Sequence, residues 1–108
     1  MLVKIKGLLF SVSQKIKTEN GTEIVNLLIK IPDKINEFGE VYQKEIVYQV
    51  KAIGNNIGKL PKEILGLTDD KTPVKVEISC FLNSFKQELE GNKIFYNLSL
   101  NLYKIDIL

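Results

Sequence analysis

The sequence predicts an all-β domain, a small barrel of five strands with one short helix between the third and fourth strands. Three observations predict it. Apolar and polar residues alternate with a period of two over several long stretches, as they do in strands with one buried face. The one stretch typical of a helix, Lys62–Leu67, follows Pro61 and ends near Gly66. The 108 residues suit a single domain, residues 1–108, with a single core.

The first two strands are predicted over Leu2–Ser13 and Glu23–Ile31. Gly7 interrupts the alternation of the first strand, which indicates a bulge or a sharp bend. Asn20-Gly21 between the strands is a strong signal for a tight turn, so the two strands are expected to form a hairpin. The residues of the second strand that should face the core are Val25, Leu27, Ile29 and Ile31.

The middle of the chain is predicted to contain a loop, a strand and the helix. Pro32–Lys44 is polar and is expected to be a mobile loop. The third strand covers Glu45–Ile53, and the glycine-containing stretch Gly54–Gly58 ends it. One face of this strand is formed by Ile46, Tyr48, Val50 and Ala52, and the other by Val47, Gln49, Lys51 and Ile53.

The last part, Val74–Lys104, is predicted to be two long strands joined by a polar loop around Gln87–Lys93. The expected inward residues are Val74, Val76, Ile78, Cys80 and Leu82, then Tyr96, Leu98, Leu100 and Leu102. The opposite face is polar, nearly uncharged and carries the aromatics Phe81, Phe85, Phe95 and Tyr103. A solvated face would carry more lysine and glutamate, so this face is expected to contact a ligand or a partner.

The resulting order is three strands, a short helix and two strands, which is the topology of the OB-fold, a small and partly open barrel. A strongly curled first strand, with its bend at Gly7, suits such a barrel. A two-layer sandwich is the competing architecture, but it needs more strands than the sequence offers. Phe10, Tyr48 and Tyr96 are predicted to lie in the core, whereas Phe81 is predicted to lie at an interface.

The composition argues against most enzyme classes and predicts no cofactor and no metal. The chain has no histidine and a single cysteine, Cys80, so it lacks a zinc ligand set and the base of a Ser-His-Asp or Cys-His site. Cys80, at an inward strand position, is expected to be a buried structural thiol. Asp69-Asp70 and the pair Glu88 and Glu90 are interpreted as loop charges.

Charge and hydropathy restrict the partners. The net charge is +2, and all 15 basic residues are lysine. Sequence-specific reading of duplex DNA relies on arginine, so it is disfavoured. No apolar run approaches the ~20 residues that span a bilayer, and no secretory signal is present at Met1. The sequence is therefore expected to belong to a cytoplasmic protein without a membrane role.

The chain resembles bacterial and phage single-stranded DNA-binding proteins of the OB-fold type. The segments that carry the resemblance are Val3–Gly7, Thr18–Thr22, Ile24–Ile31, Tyr48–Gly54, Val74–Ile78, Phe85, Gly91 and Phe95-Tyr96. The resemblance implies a groove in which bases stack on aromatic side chains while lysines follow the phosphates, a mode that needs no sequence readout. It also implies a homo-oligomer, a dimer or tetramer, and replication proteins as possible partners.

The resemblance suggests which residues contact DNA. Phe85 falls near a family tryptophan on the hairpin, Phe95 falls on a family aromatic after the loop glycine, and Lys51 falls among contacting positions of the third strand. Exposed aromatics on the predicted loop, Phe38 and Tyr42, are further candidates. The complete set of expected DNA-binding residues is Lys4, Lys6, Lys15, Lys17, Lys30, Phe38, Tyr42, Lys51, Phe85, Lys86, Lys93 and Phe95.

The sequence also departs from the family. It has no tryptophan, and it has aliphatic residues near Ile35, near Val47 and at Ile53, where the family has further aromatics. The acidic C-terminal tail of the family is missing, which fits a phage- or plasmid-encoded variant, a specialised subunit or a trimmed chain. Two hypotheses follow. The first is sequence-tolerant binding of single-stranded DNA in replication or recombination; the second is an accessory or interaction subunit of a primosome, primase or polymerase complex.

Overall fold

The structure is a computed structural model that describes residues 2–37, 40–67, 72–89, 91 and 93–108. Its side chains are described for residues 2–31, 46–67, 72–83, 91 and 98–108. Within the described residues the strands are β1 (Leu2–Val12), β2 (Ile16–Lys17), β3 (Glu23–Glu37), β4 (Glu40–Ile53), β5 (Val74–Leu89) and β6 (Lys93–Ile107). No helix in this part of the chain is long and apolar enough to cross a membrane.

Five of the described strands close into a barrel. The sheet order is β1-β5-β6-β4-β3, and an additional pairing between β1 and β3 completes the ring. The two-residue strand β2 is paired only with β3 in the described ladders, outside the ring. The fold is therefore an all-β OB-fold, which confirms the predicted fold class.

Strand β1 closes the barrel because it pairs with two neighbours. Its first part runs antiparallel to β5, from Leu2 opposite Phe81 onward, and its second part pairs with β3 from Leu8 opposite Lys30 onward. The predicted irregularity is present, but the register shift lies just beyond Gly7, between Leu9 and Ser11. Such a shift bends the strand and lets it pass from one neighbour to the next.

Gly7 allows β1 and β3 to approach each other closely. A Cβ atom at Gly7 would lie 2.8 Å from Cγ2 of Ile29 and 2.8 Å from the backbone oxygen of Lys30. Both distances are shorter than van der Waals contact, and one of the atoms belongs to the backbone. Glycine is therefore required at this position by the closure of the barrel.

The core consists of inward residues from the five barrel strands and from the segment that follows β4. The alternation predicted for β3 and for the start of β5 is confirmed. The buried apolar residues are Ile5, Leu9, Val12, Val25, Leu27, Ile29, Val50, Ala52, Leu60, Ile64, Val76, Ile78, Cys80, Leu102 and Ile105. Tyr48 is half-buried and packs against this cluster, as predicted. The predicted core residue Tyr96 lies outside the described side chains.

The predicted short helix is replaced by two 3-10 segments, Gly54–Lys59 and Lys62–Ile64. The second begins after Pro61, as predicted, but lasts a single turn, and Gly66 then adopts a positive φ of 81°. Ile64 is fully buried, and the backbone oxygen of Leu67 accepts a hydrogen bond of 2.7 Å from the backbone N–H of Val12. The segment thus covers one end of the core.

The prediction of a loop over Pro32–Lys44 is wrong. Strands β3 and β4 continue as an antiparallel ladder until Glu37 stands opposite Glu40. Pro32 is compatible with this arrangement because β1 pairs with β3 only as far as Lys30 in the described ladder. Beyond that point one edge of β3 has no strand neighbour among the described residues, and a proline is tolerated at a free edge.

The hairpin formed by β5 and β6 is also longer than predicted, since its strands reach Leu89 and restart at Lys93. The β5–β6 register shifts where Ser79 pairs with Lys104 and Cys80 with Leu102. Tyr103 is the extra residue, so the inward positions change from Leu102 to Ile105, and both are buried. The predicted alternation of β6 ends at Tyr103, so this bulge changes the inward positions only beyond the predicted stretch.

Candidate nucleic-acid interface

The outer surface of β3 and β4 forms a mixed apolar and basic face, here called the β3–β4 face. Cross-strand pairs build it: Ile24 with Ile53, Asn26 with Lys51, Leu28 with Gln49, and Lys30 with Val47. None of these eight residues carries a negative charge. Cross-strand neighbours in a sheet lie within about 5.5 Å of each other, so the amides and lysines form one continuous surface with the aliphatic residues.

Lys30 and Lys51 are the two predicted DNA-binding lysines that lie on this face. Nζ of Lys30 is 5.4 Å from the centroid of the Phe10 ring. This ring is half-buried and lies outside the core, contrary to the prediction that Phe10 is a core residue. Lys51 stands opposite Asn26 on β3 and opposite Asn101 on β6. The two lysines are four ladder positions apart, roughly 13 Å along the strands. They are therefore spaced to contact different phosphates.

Asn26 contributes an unusual polar group to the face. Its backbone N–H donates a 2.8 Å hydrogen bond to Oγ of Ser13, and the backbone N–H of Ser13 donates a 2.9 Å bond to the Asn26 carbonyl. Its side-chain Oδ1 is buried and has no hydrogen-bond partner among the described residues. A buried acceptor left in this state costs about 1–3 kcal/mol. Stability alone therefore gives no reason for an asparagine at this position.

The structure places the other predicted lysines elsewhere. Lys4 and Lys6 are exposed on β1, and their Nζ atoms lie 3.9 and 3.7 Å from the two carboxylate oxygens of Glu77. Nζ of Lys15 lies 3.5 Å from a carboxylate oxygen of Glu23. Lys17 is exposed on β2, and Glu23 is also its strand partner. The lysines of the first strands therefore do not form one cluster, and two carboxylates offset part of their charge.

The predicted aromatic residues and the hairpin lysines fall mostly outside the described side chains. Phe38 lies outside the described residues altogether. For the others only the strand positions are described. Tyr42 stands opposite Ile35, Phe85 opposite Asn97, Lys86 opposite Tyr96, Phe95 opposite Gln87, and Lys93 opposite Leu89. These positions put all five residues on the two long hairpins, and their contact with DNA stays a prediction.

A second surface, here called the apolar patch, crosses β1, β5 and β6. It consists of Leu2, Phe81 and Tyr103, which are 49%, 43% and 43% exposed. The rings of Phe81 and Tyr103 are 5.2 Å apart between centroids. Nζ of Lys59 lies 4.8 Å from the Tyr103 centroid and donates a 2.8 Å hydrogen bond to the Tyr103 carbonyl. Sequence reasoning singled out Phe81 and Tyr103 but missed Leu2 and Lys59.

The described residues contain no arrangement typical of a metal or a nucleophilic site. No group of three or more potential metal ligands comes together among them. Cys80 is fully buried, and this burial raises the pKa of its thiol from the usual 9.0 to about 11. The thiol is therefore protonated at neutral pH and inaccessible, which makes it a structural side chain.

Comparisons with known proteins show which solved structures resemble this fold. No family model matches the sequence, and no curated protein matches it. Solved structures do match. A single-stranded DNA-binding protein from Thermus aquaticus (a deletion mutant) gives a TM-score of 0.69 at 18% identity, over 99% of this chain and 49% of that one. The chain thus spans about half the length of the Thermus aquaticus protein.

Two further structures match over nearly their whole length. The Plasmodium falciparum SSB, solved in complex with single-stranded DNA, gives a TM-score of 0.63 at 12% identity over 99% of this chain and 91% of that one. The mitochondrial single-stranded DNA-binding protein Rim1 of S. cerevisiae gives 0.60 at 16% identity, with 100% and 94% covered. The resemblance inferred from the sequence is thus confirmed at the level of the fold.

Proposed function

We propose that this protein binds single-stranded DNA without sequence preference, through the β3–β4 face. The observation that carries the proposal is the position of Lys30 and Lys51. The second and third strands of an OB barrel are its usual surface for oligonucleotides and oligosaccharides, and here these strands are β3 and β4. Two lysines and no carboxylate on the eight residues of that face favour a polyanion over a neutral sugar.

The absence of arginine in the sequence supports tolerance of sequence. Lysine neutralises phosphate as a point charge, whereas discrimination between bases usually relies on bidentate arginine, asparagine or glutamine contacts. We propose a role in replication or recombination, with the aromatic positions Phe85 and Phe95 of the β5–β6 hairpin extending the contact. Stacking on such residues contributes about 1–3 kcal/mol per base.

Titration of a labelled oligo-dT at increasing salt tests the proposal. The logarithm of the association constant should fall linearly with the logarithm of salt concentration, with a slope of about 0.7 per phosphate contacted. A mixed-sequence single strand should bind with similar affinity, and a duplex of equal length should bind more weakly. Absence of binding to either single strand at low salt would refute the proposal. A stable complex with a replication protein would then favour the accessory-subunit hypothesis.

We further propose that the chain forms a dimer or tetramer through the apolar patch. Leu2, Phe81 and Tyr103 present three large apolar side chains on adjacent strands, and residues 2–7 of β1 pair only with β5 in the described ladders. Exposed apolar patches and free strand edges both favour association.

Light scattering coupled to size exclusion tests this association. The wild type should elute as a dimer or tetramer, and Phe81→Ser should lower the mass towards the 12.3 kDa of the single chain. Leu65→Ser is the matched control, since Leu65 is 53% exposed away from the patch. A wild type that stays monomeric at high concentration contradicts the proposed oligomer.

A further inference from the structure

The barrel wall is weakest between β4 and β6. Among the described residues these two parallel strands share two pairs, Val50 with Leu100 and Lys51 with Asn101. Towards the ends of the long hairpins the ladder stops, and a cavity of about 450 Å³ lies between the strands. This β4–β6 cleft adjoins the β3–β4 face, because Gln49 and Lys51 belong to both.

The cleft has an apolar floor and a polar rim. The floor is formed by the inward positions Tyr48, Leu82, Leu98 and Leu100. The rim carries Val47, Gln49, Lys51 and Ser99. Lys51 is the one charged residue among the described residues that line the cleft. The volume lies within the roughly 300–1,000 Å³ that is usual for small-molecule pockets.

Two apolar residues at this cleft are largely exposed, although the alternation places only one of them, Leu98, in the core. Leu98, an expected core residue of β6, is 69% exposed, and Val47 is 54% exposed. Full burial of such a side chain would contribute about 1.5–3 kcal/mol, which is not realised here. Leu98 lies where the barrel wall opens, so the alternation continues, but no neighbouring strand among the described residues covers the side chain. An occupant of the cleft would cover it.

We propose that the β4–β6 cleft receives a nucleobase of the bound strand, unstacked from its neighbours, while Lys51 contacts an adjacent phosphate. The proposal rests on the proposed function of the β3–β4 face. The apolar floor suits the faces of a base, and Gln49 and Ser99, which both donate and accept hydrogen bonds, can bond to the edge of any base. A partner peptide strand could pair with the free edges of β4 and β6, but the positive rim and its continuity with the β3–β4 face favour a nucleic acid.

The experiment compares oligo-dT with an abasic oligonucleotide of equal length, which keeps the phosphates and removes the bases. Leu98→Ser should reduce the preference for oligo-dT over the abasic strand by about fivefold to tenfold. Its affinity for the abasic strand and its salt slope should not change. Leu65→Ser is the matched control and should bind both strands like the wild type.

Crosslinking provides a readout that does not depend on a variant. A strand substituted with 5-iodouracil should crosslink on irradiation to the peptide that contains Tyr48. Crosslinks confined to Tyr103 would overturn the inference. Three results with Leu98→Ser would also overturn it. The variant could lose affinity equally for oligo-dT and the abasic strand, or lose affinity for neither. It could also change the oligomeric mass while the preference for oligo-dT stays that of the wild type. A wild type that binds neither strand refutes the proposed function together with this inference. A wild type that binds DNA but gives one of the results above refutes only the insertion of a base into the cleft.

Discussion

The double variant Lys30→Gln, Lys51→Gln should bind oligo-dT about 60-fold more weakly than the wild type at roughly 50 mM salt. With a slope of about 0.7 per phosphate, each lost contact lowers the association constant about eightfold at this salt concentration. The factors for the two contacts multiply. The two side chains lie roughly 13 Å apart along the strands, so they can neutralise separate phosphates. The slope itself should fall by about 1.4.

Lys75→Gln removes one positive charge and is the charge-matched control for each single variant, Lys30→Gln and Lys51→Gln. Lys75 is exposed on β5, outside the β3–β4 face. It should keep both the affinity and the slope of the wild type, apart from a small effect of the changed net charge. If Lys75→Gln weakens binding as much as each single lysine variant of the face does, the DNA does not follow this face. Unfolding midpoints of all variants separate lost contacts from lost structure.

Gly7→Ala should lower the free energy of unfolding by about 1–3 kcal/mol, and Gly7→Val should lower it further. The added Cβ would meet the Lys30 carbonyl at 2.8 Å, and a backbone atom cannot move aside as the end of a flexible side chain can. Strands β1 and β3 must separate instead, which weakens the closure of the barrel. Urea unfolding followed by circular dichroism measures the difference.

Gly58→Ala is the control for the glycine substitution. No atom lies within 4 Å of a Cβ built at Gly58, and its φ is not positive. Alanine there should leave stability unchanged or raise it by about 0.4–1 kcal/mol, because the unfolded chain loses freedom. Equal destabilisation by both substitutions would show that loss of glycine flexibility, and not the close approach of β3, determines the effect at Gly7.

The period of two predicted most of the fold because it depends only on local backbone geometry. It assigned the correct faces of β3 and of the start of β5, and with them the outward positions of Lys30 and Lys51. It failed on β6 at Leu98, where the strand leaves the closed part of the barrel. Beyond the predicted alternation, a bulge at Tyr103 shifts the inward positions by one residue. Neither event has a local sequence signal.

Pro32 and the polar residues after it led to the wrong prediction of a loop. A proline and several charges are typical of loops, but they are also compatible with a strand whose edge is free. Whether an edge is free depends on the length of a neighbouring strand that is distant in the sequence. The end of the β1–β3 ladder at Lys30 could therefore not be read from residues 32–44 themselves.

The candidate site was predictable only in part, for a related reason. Alternation assigns a lysine to the outer surface, but it does not say which carboxylate from another strand lies beside it. Glu77 meets Lys4 and Lys6 only because of the β1–β5 register. The β4–β6 cleft likewise arises from a pairing that joins distant parts of the chain. Long-range register is the information that the alternation of a single strand lacks.

The double pairing of β1 also determines when the molecule can fold. Leu2 finds its partner at Phe81, and the ring is complete only when β5 and β6 are present. During synthesis the β3–β4 hairpin can form first, since its pairs are close in sequence. Part of β1 stays unpaired until the β5–β6 hairpin has been made. Folding dominated by such non-local pairs is slow, typically milliseconds to seconds. Strand β1 is made before the other described strands, yet it is among the last of them to be fully paired, and it exposes its apolar residues until then.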